Sequence, residues 1–181
     1  MGLDAFVPCN CLKEGKLNPL PHPFDADDIY RDEEGYLCSR LLDKMEEKFA
    51  NRRSDACFNK LDNTFYEWAK SPCPHENGEY CSEWVSDWSG VALFKHLVDE
   101  LGGGKAYPLL NSMLPADNGG HFPSGHAKAA LVELARFNKN RKGLPADMRA
   151  EFECEGHYYT AEKIRKLLFA SAKTGNDIYW C

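Results

Sequence analysis

Cys73-Pro74-His75-Glu76-Asn77-Gly78-Glu79-Tyr80-Cys81 lies between two stretches of helical periodicity, and Cys9-Asn10-Cys11 near the start of the chain carries the same kind of soft ligand. Zinc in a structural role takes four thiolate or imidazole ligands in a tetrahedron. Cys9, Cys11, Cys73 and His75 make such a Cys3His set, with Cys81 in reserve. One residue separates the members of each pair, so extended or tightly turned chain must aim both side chains at one ion, and Pro74 stiffens the second pair. The competing reading is of ordinary buried thiols beside a surface histidine, because free cysteine is among the most buried residue types. A disulfide or redox pair is the third. A metal here would join the segment after the first strand to the middle of the chain, so these residues read first as architecture. A catalytic zinc needs an open position and a nearby carboxylate; Glu76 and Glu79 are close in sequence, but no helical zinc-protease motif is present.

Outward from this stretch the helices follow from spacing. Phe58, Leu61, Phe65 and Trp68 form a core-facing stripe on a helix from about Ser54, as cap, to Ala69. Leu41, Leu42, Met45 and Phe49 define another from Ser39 to Ala50, and the two should form an antiparallel hairpin. Ser71 to Ser89 reads as irregular, with Trp84 and Trp88 expected in the core. Ser89 then caps a helix to Leu101 through Val91, Phe94 and Val98, and Gly102-Gly-Gly104 stops it. Lys105 follows without the glycine and hydroxyl spacing of a phosphate loop.

Ala106 to Leu114 suits a short helical turn. Ala127, Ala130, Leu131, Leu134 and Phe137 mark a helix from about Gly125 to Phe137, whose negative end Lys139, Arg141 and Lys142 complement. Thr160 caps a last helix to Lys173 through Ile164, Leu167, Leu168 and Ser171, ended by Gly175. Gly2 to Pro8 and Asp177 to Trp180 read as strands, and Ala150 to Tyr159 has room for one. The expected fold class is α+β, a helix-rich single domain over 1–181 with a small sheet built from the first strand and the last ones.

At 181 residues with 43% hydrophobic and 28% charged content, the chain has the composition of one folded domain. A net charge of -6 argues against non-specific binding to nucleic acid or an anionic membrane. No apolar run matches a bilayer span, and the N-terminus lacks the pattern of a secretory signal. Met1-Gly2 lacks the hydroxyl residue that acylation needs at Phe6. The eight cysteines are therefore expected as reduced thiols in a cytoplasmic protein, some on a metal. No thiol-protease signature surrounds any of them.

From Lys13 to Gly35 the chain carries Pro19, Pro21 and Pro23 and the acidic residues Asp25, Asp27, Asp28, Asp32, Glu33 and Glu34. This reads as a surface loop, either simply solvated or meeting a basic protein partner.

Pro123-Ser124-Gly125-His126 resembles the central motif of the type 2 phosphatidic acid phosphatases and related haloperoxidases. The resemblance implies that His126 helps stabilise a phosphate or vanadate oxyanion. The family's upstream lysine-to-arginine-proline segment and its downstream serine-arginine segment with a nucleophilic histidine have no counterpart here. On the residues alone, Ser124 caps a helix whose first turn holds Gly125 and His126, and the backbone N–H groups there favour an anion. His121 and His126 either face such a pocket, form a second metal pair or sit on a surface loop; His22, His96 and His157 stand alone. The opening Gly2-Leu-Asp-Ala-Phe-Val-Pro-Cys-Asn-Cys-Leu-Lys-Glu-Gly-Lys16, with Asp87-Trp-Ser-Gly90, resembles a set of small bacterial proteins and implies a bacterial cytosolic origin without an activity.

Two functions remain in view. One is a soluble protein-binding module with a structural zinc, in its concrete form an immunity or inhibitor protein that neutralises a toxin or nuclease through the acidic cluster. The alternative is a metal-dependent hydrolase or phosphoesterase using the 73–81 or 119–126 region.

Overall fold

The computed structural model describes residues 2–49, 56–115, 119–154 and 158–181. In chain order the strands are β1 (Gly2–Pro8), β2 (Ile29–Arg31), β3 (Leu37–Ser39), β4 (Glu79–Asp87), β5 (His121–Phe122) and β6 (Ile178–Trp180). The helices are α1 (Arg40–Phe49), α2 (Ala56–Ala69), α3 (Trp88–Glu100), α4 (Gly103–Ala106), α5 (Pro108–Met113), α6 (Ser124–Asn140), α7 (Ala146–Cys154) and α8 (Tyr158–Thr174). The fold is α+β and helix-rich, with a small antiparallel sheet of four strands. The backbone gathers into two compact units, residues 1–8 with 81–181, and residues 9–80.

The first unit is built on the sheet, in the order β4-β1-β6-β5. β1 pairs antiparallel with β6, setting Ala5 opposite Trp180 and Phe6 opposite Tyr179, whose ring stacks on Phe6 at 5.6 Å. α3 and α8 pack on β1, and α6 packs on α8. Phe94, Leu97, Val98, Leu134, Phe137, Ile164, Leu167 and Leu168 are all buried in this layer. Each such side chain removed from water stabilises the fold by about 1.5–3 kcal/mol before entropy is counted.

β4 corrects the reading of Ser71 to Ser89 as irregular: Glu79 to Asp87 is a continuous strand. It lies at the sheet's edge, where the apolar alternation that marks a half-buried strand is weakly enforced, and polar residues interrupt both of its faces. Trp84 on it is 55% exposed, so this tryptophan is not core; Trp88 is half-buried. β1 approaches β4 so closely at Gly2 that an added Cβ would lie 2.6 Å from Trp84 Nε1 and 2.7 Å from the Ser86 carbonyl oxygen.

Three expected caps are displaced. α3 is capped by Asp87, whose Oδ1 accepts from the Gly90 N–H and from Ser89 Oγ, both at 2.7 Å; Ser89 lies inside the helix. A carboxylate at the positive end of a helix is favoured by charge as well as by its hydrogen bonds. Ser124 is the first residue of α6, not its cap, and Thr160 is buried inside α8. Ala150 to Cys154 belong to α7, so the strand expected there is a helix over those residues. The Ser54 cap and His157 lie outside the described residues.

The second unit carries a two-stranded sheet of β2 and β3, with Tyr30 opposite Cys38. Part of the segment expected as loop is thus a strand, preceded by a 3-10 turn at Ala26–Asp28. α1 and α2 pack together as expected of neighbours, and Leu42 and Phe65 bury against Phe24 and Ile29, with Phe58, Leu61 and Trp68 at the margin. Hairpin pairing to Leu37–Ser39 overrides the loop-like composition of the β2 segment.

Candidate metal centre

The four soft ligands come from the two ends of the second unit. Cys9 follows β1 in extended chain, and its N–H donates to the Gly78 carbonyl at 2.9 Å. The chain then turns: the Lys16 N–H donates to the Cys11 carbonyl at 2.8 Å, and Gly15, at φ 64°, supplies the left-handed residue this needs. Asn18 ties this turn to the other end, its N–H donating to the Pro72 carbonyl at 2.7 Å and its side-chain amide to Ser71 at 2.8 Å.

After α2 the chain passes through Cys73 and His75 into a tight turn, in which the Gly78 N–H donates to the His75 carbonyl at 3.0 Å. Asn77 and Gly78 have φ of 50° and 69°. A Cβ at Gly78 would lie 2.9 Å from Arg31 Nη2, because that guanidinium donates to the Gly78 carbonyl at 2.8 Å and to the Gly35 carbonyl at 2.6 Å. The Gly78 carbonyl therefore receives both the Cys9 N–H and Arg31.

These contacts bring Cys9, Cys11, Cys73 and His75 together, with their ligand atoms all within 4.8 Å of one another. Cys9 Sγ lies 3.6 Å from Cys73 Sγ; His75 Nδ1 lies 3.4 Å from Cys11 Sγ and 3.8 Å from Cys73 Sγ. In a zinc tetrahedron, bonds of about 2.3 Å to sulfur and about 2.05 Å to nitrogen place sulfurs about 3.8 Å apart and sulfur about 3.6 Å from nitrogen. The three spacings lie within 0.2 Å of those edges. Cys9, Cys11 and Cys73 are 3%, 7% and 4% exposed, under Leu17 and Tyr80, and His75 is half-buried. The four residues lie close enough to hold one metal ion.

Charge reinforces the geometry. Burial, followed by the neighbouring Cys9 and Cys73 thiols, pushes the Cys11 thiol from its ordinary 9.0 up to about 12. Burial also raises the Cys73 thiol. Three thiolates in one dry pocket repel each other, and a divalent cation among them reverses that balance by pairing with each. The same donors without a cation favour neutral thiols.

The remaining expected residues sit elsewhere. Cys81, the reserve ligand, is half-buried on β4 and outside the four-residue group. Among the described residues no further group of three such ligands converges, so His121 and His126 are not part of a second metal cluster there. Both are exposed; His121 Nε2 is 3.8 Å from Asp177 Oδ2, and the His126 ring is 6.1 Å from that of Phe122. At the start of α6 the Ser124 N–H donates to Asp177 Oδ1 at 2.8 Å, so the Ser124, Gly125, His126 helix start carries a carboxylate of its own chain.

Of the acidic residues, Asp25, Asp27, Glu33 and Glu34 are exposed and Asp28 is half-buried. Asp32 turns inward: Oδ1 accepts from the N–H groups of Glu34 and Tyr36 at 3.0 and 2.9 Å, an Asx turn that shapes the β2–β3 connection. The supporting roles of Gly78, Asn18 and Arg31 had only one signal in the sequence, the Asn77-Gly78 dipeptide, which marks left-handed turns. Comparison of the chain with known protein families, with curated proteins and with solved structures finds no match.

Proposed function

We propose that the chain is a protein-binding module whose 9–80 unit is braced by a structural zinc ion on Cys9, Cys11, Cys73 and His75. The observation that carries this reading is the convergence of three buried sulfurs and one imidazole nitrogen within 4.8 Å of one another, with three of their six separations within 0.2 Å of tetrahedral edges. Three thiolates and an imidazole suit zinc and disfavour hard cations such as magnesium. Four protein ligands leave no open position for water, which a catalytic zinc retains. Metal binding then contributes directly to folding, because the site does not exist in the unfolded chain.

The binding reading draws on two features of the same unit. Asp25, Asp27, Glu33 and Glu34 present negative charge to solvent, suited to a basic partner such as a toxin or nuclease. A groove of about 310 Å3 is lined by Tyr36, Leu37, Tyr66 and Asn77, and exposed tyrosines are favoured at interfaces. Asn77 is two residues from His75, so the metal would hold one wall of that groove. Reduced buried thiols accord with a cytoplasmic setting. No observation favours the hydrolase alternative.

Elemental analysis of the purified protein tests the brace: about one zinc per chain is expected, and a metal-free, fully folded protein would remove it. Affinity capture at low salt, with wild type and a Glu33→Lys/Glu34→Lys variant side by side, tests the binding. A basic protein held by wild type and lost by the variant is expected; a partner held equally by both would overturn the role of the acidic turn.

A further inference from the structure

We propose that the Cys9, Cys11, Cys73, His75 centre is a peroxide-responsive switch, in which oxidation joins Cys9 to Cys73 and releases the metal. This inference rests on the metal reading above and adds its regulation. Cys73 Sγ stands 3.6 Å from Cys9 Sγ and 3.8 Å from His75 Nδ1, so the two sulfurs are already neighbours beside the one ligand with partial exposure. The three cysteines are buried and His75 is half-buried, so a small oxidant would enter beside His75.

The chemistry balances with a peroxide as oxidant. The Cys73 thiolate attacks one peroxide oxygen; the O–O bond breaks, an S–O bond forms, hydroxide leaves, and Cys73 becomes a sulfenic acid. The Cys9 thiolate then attacks that sulfur, forming the S–S bond and expelling a second hydroxide. Two thiolates have lost two electrons, and the peroxide has gained them. The sulfurs need only close from 3.6 Å to about 2.05 Å.

Cys11 and His75 remain as ligands, two short of the tetrahedral set, and the metal is released. The disulfide spans the same two ends of the 9–80 unit that the metal joined, 64 residues apart. The clasp therefore persists in covalent form while the ion and its charge depart. A Cys9–Cys11 bond is disfavoured because its single intervening residue forces a small, strained ring.

The test uses reduced, zinc-loaded full-length protein carrying Cys57→Ser, which removes an exposed thiol that would compete for oxidant. Hydrogen peroxide is added in steps, released zinc is read with a chromogenic chelator, and bridges are mapped by mass spectrometry of unreduced peptides. Release of one zinc per Cys9–Cys73 disulfide, with recapture after dithiothreitol, is expected. Zinc retained under tenfold excess peroxide, zinc lost with both cysteines as sulfinic acids, or a bridge to Cys11 instead would each overturn the switch. If the reduced protein takes up no zinc, the metal reading fails at the first step, and the peptide map alone still decides whether Cys9 and Cys73 join.

Discussion

Cys11 Sγ and His75 Nδ1 lie 3.4 Å apart although 64 residues separate them in the chain. The Asn18 and Cys9 backbone bonds that flank them tie the same two ends of the 9–80 unit together. Replacing Cys11 with Ser should lower zinc affinity by more than about 100-fold, beyond the loss typical of a supporting residue. Cys81→Ser should leave zinc content unchanged. Chelator competition on both variants reads the difference, and zinc lost equally from both would reassign the fourth ligand.

The metal-free and metal-loaded forms should respond to pH in opposite directions. Folding raises the Cys11 thiol from 9.0 to about 12, so in metal-free protein this group's stabilisation is full below pH 9 and is lost as pH rises toward 12. In the loaded form the ligands are thiolates, and protons displace the ion as pH falls. Thermal melts across pH with and without chelator should therefore show the loaded form weakening toward acid and the stripped form toward alkali. Parallel profiles would mean that no ion binds at these thiols.

Gly78→Ala should destabilise the protein by about 1–3 kcal/mol, since the residue sits at φ 69° and its new Cβ would press on Arg31 Nη2 at 2.9 Å. The affected carbonyl also receives the Cys9 N–H, so zinc affinity should fall with stability. Urea unfolding and chelator competition on the same variant would reveal this coupling; an unchanged affinity would show that the ligands are positioned without this turn.

Asp177→Ala should cost about 1 kcal/mol by removing the acceptor for the Ser124 N–H, with Asp177→Asn recovering part of the loss. Asp177 and Ser124 belong to the unit of residues 1–8 with 81–181, and the four ligands to the 9–80 unit, so zinc content should stay constant. If Asp177→Ala instead frees the helix start to bind phosphate, calorimetric titration with inorganic phosphate would show it, and the anion reading of Ser124 to His126 would gain its first support.

Helices were legible because their signal is local. Phe58, Leu61, Phe65 and Trp68 recur at three and four residues, and α2 forms with Phe65 buried. β4 was not legible, because an edge strand is defined by pairing with β1 rather than by its own alternation, and Trp84 is accordingly more than half exposed where a core position was expected. The α3 cap was displaced because Asp87, two residues before the expected Ser89, offers a carboxylate that accepts from the Gly90 N–H and from the Ser89 hydroxyl itself, and the helix starts there.

The sequence by itself determined the helical faces, the first and last strands and the chemical kind of the site, because side-chain period and ligand softness are properties of residues. Only the tertiary structure decided which thiols meet. Cys9, Cys11, Cys73 and His75 converge and Cys81 does not, because strand pairing, the Asn18 bridge and the Gly78 turn bring distant backbone segments together, and that choice is made by non-local hydrogen bonds that no local spacing records.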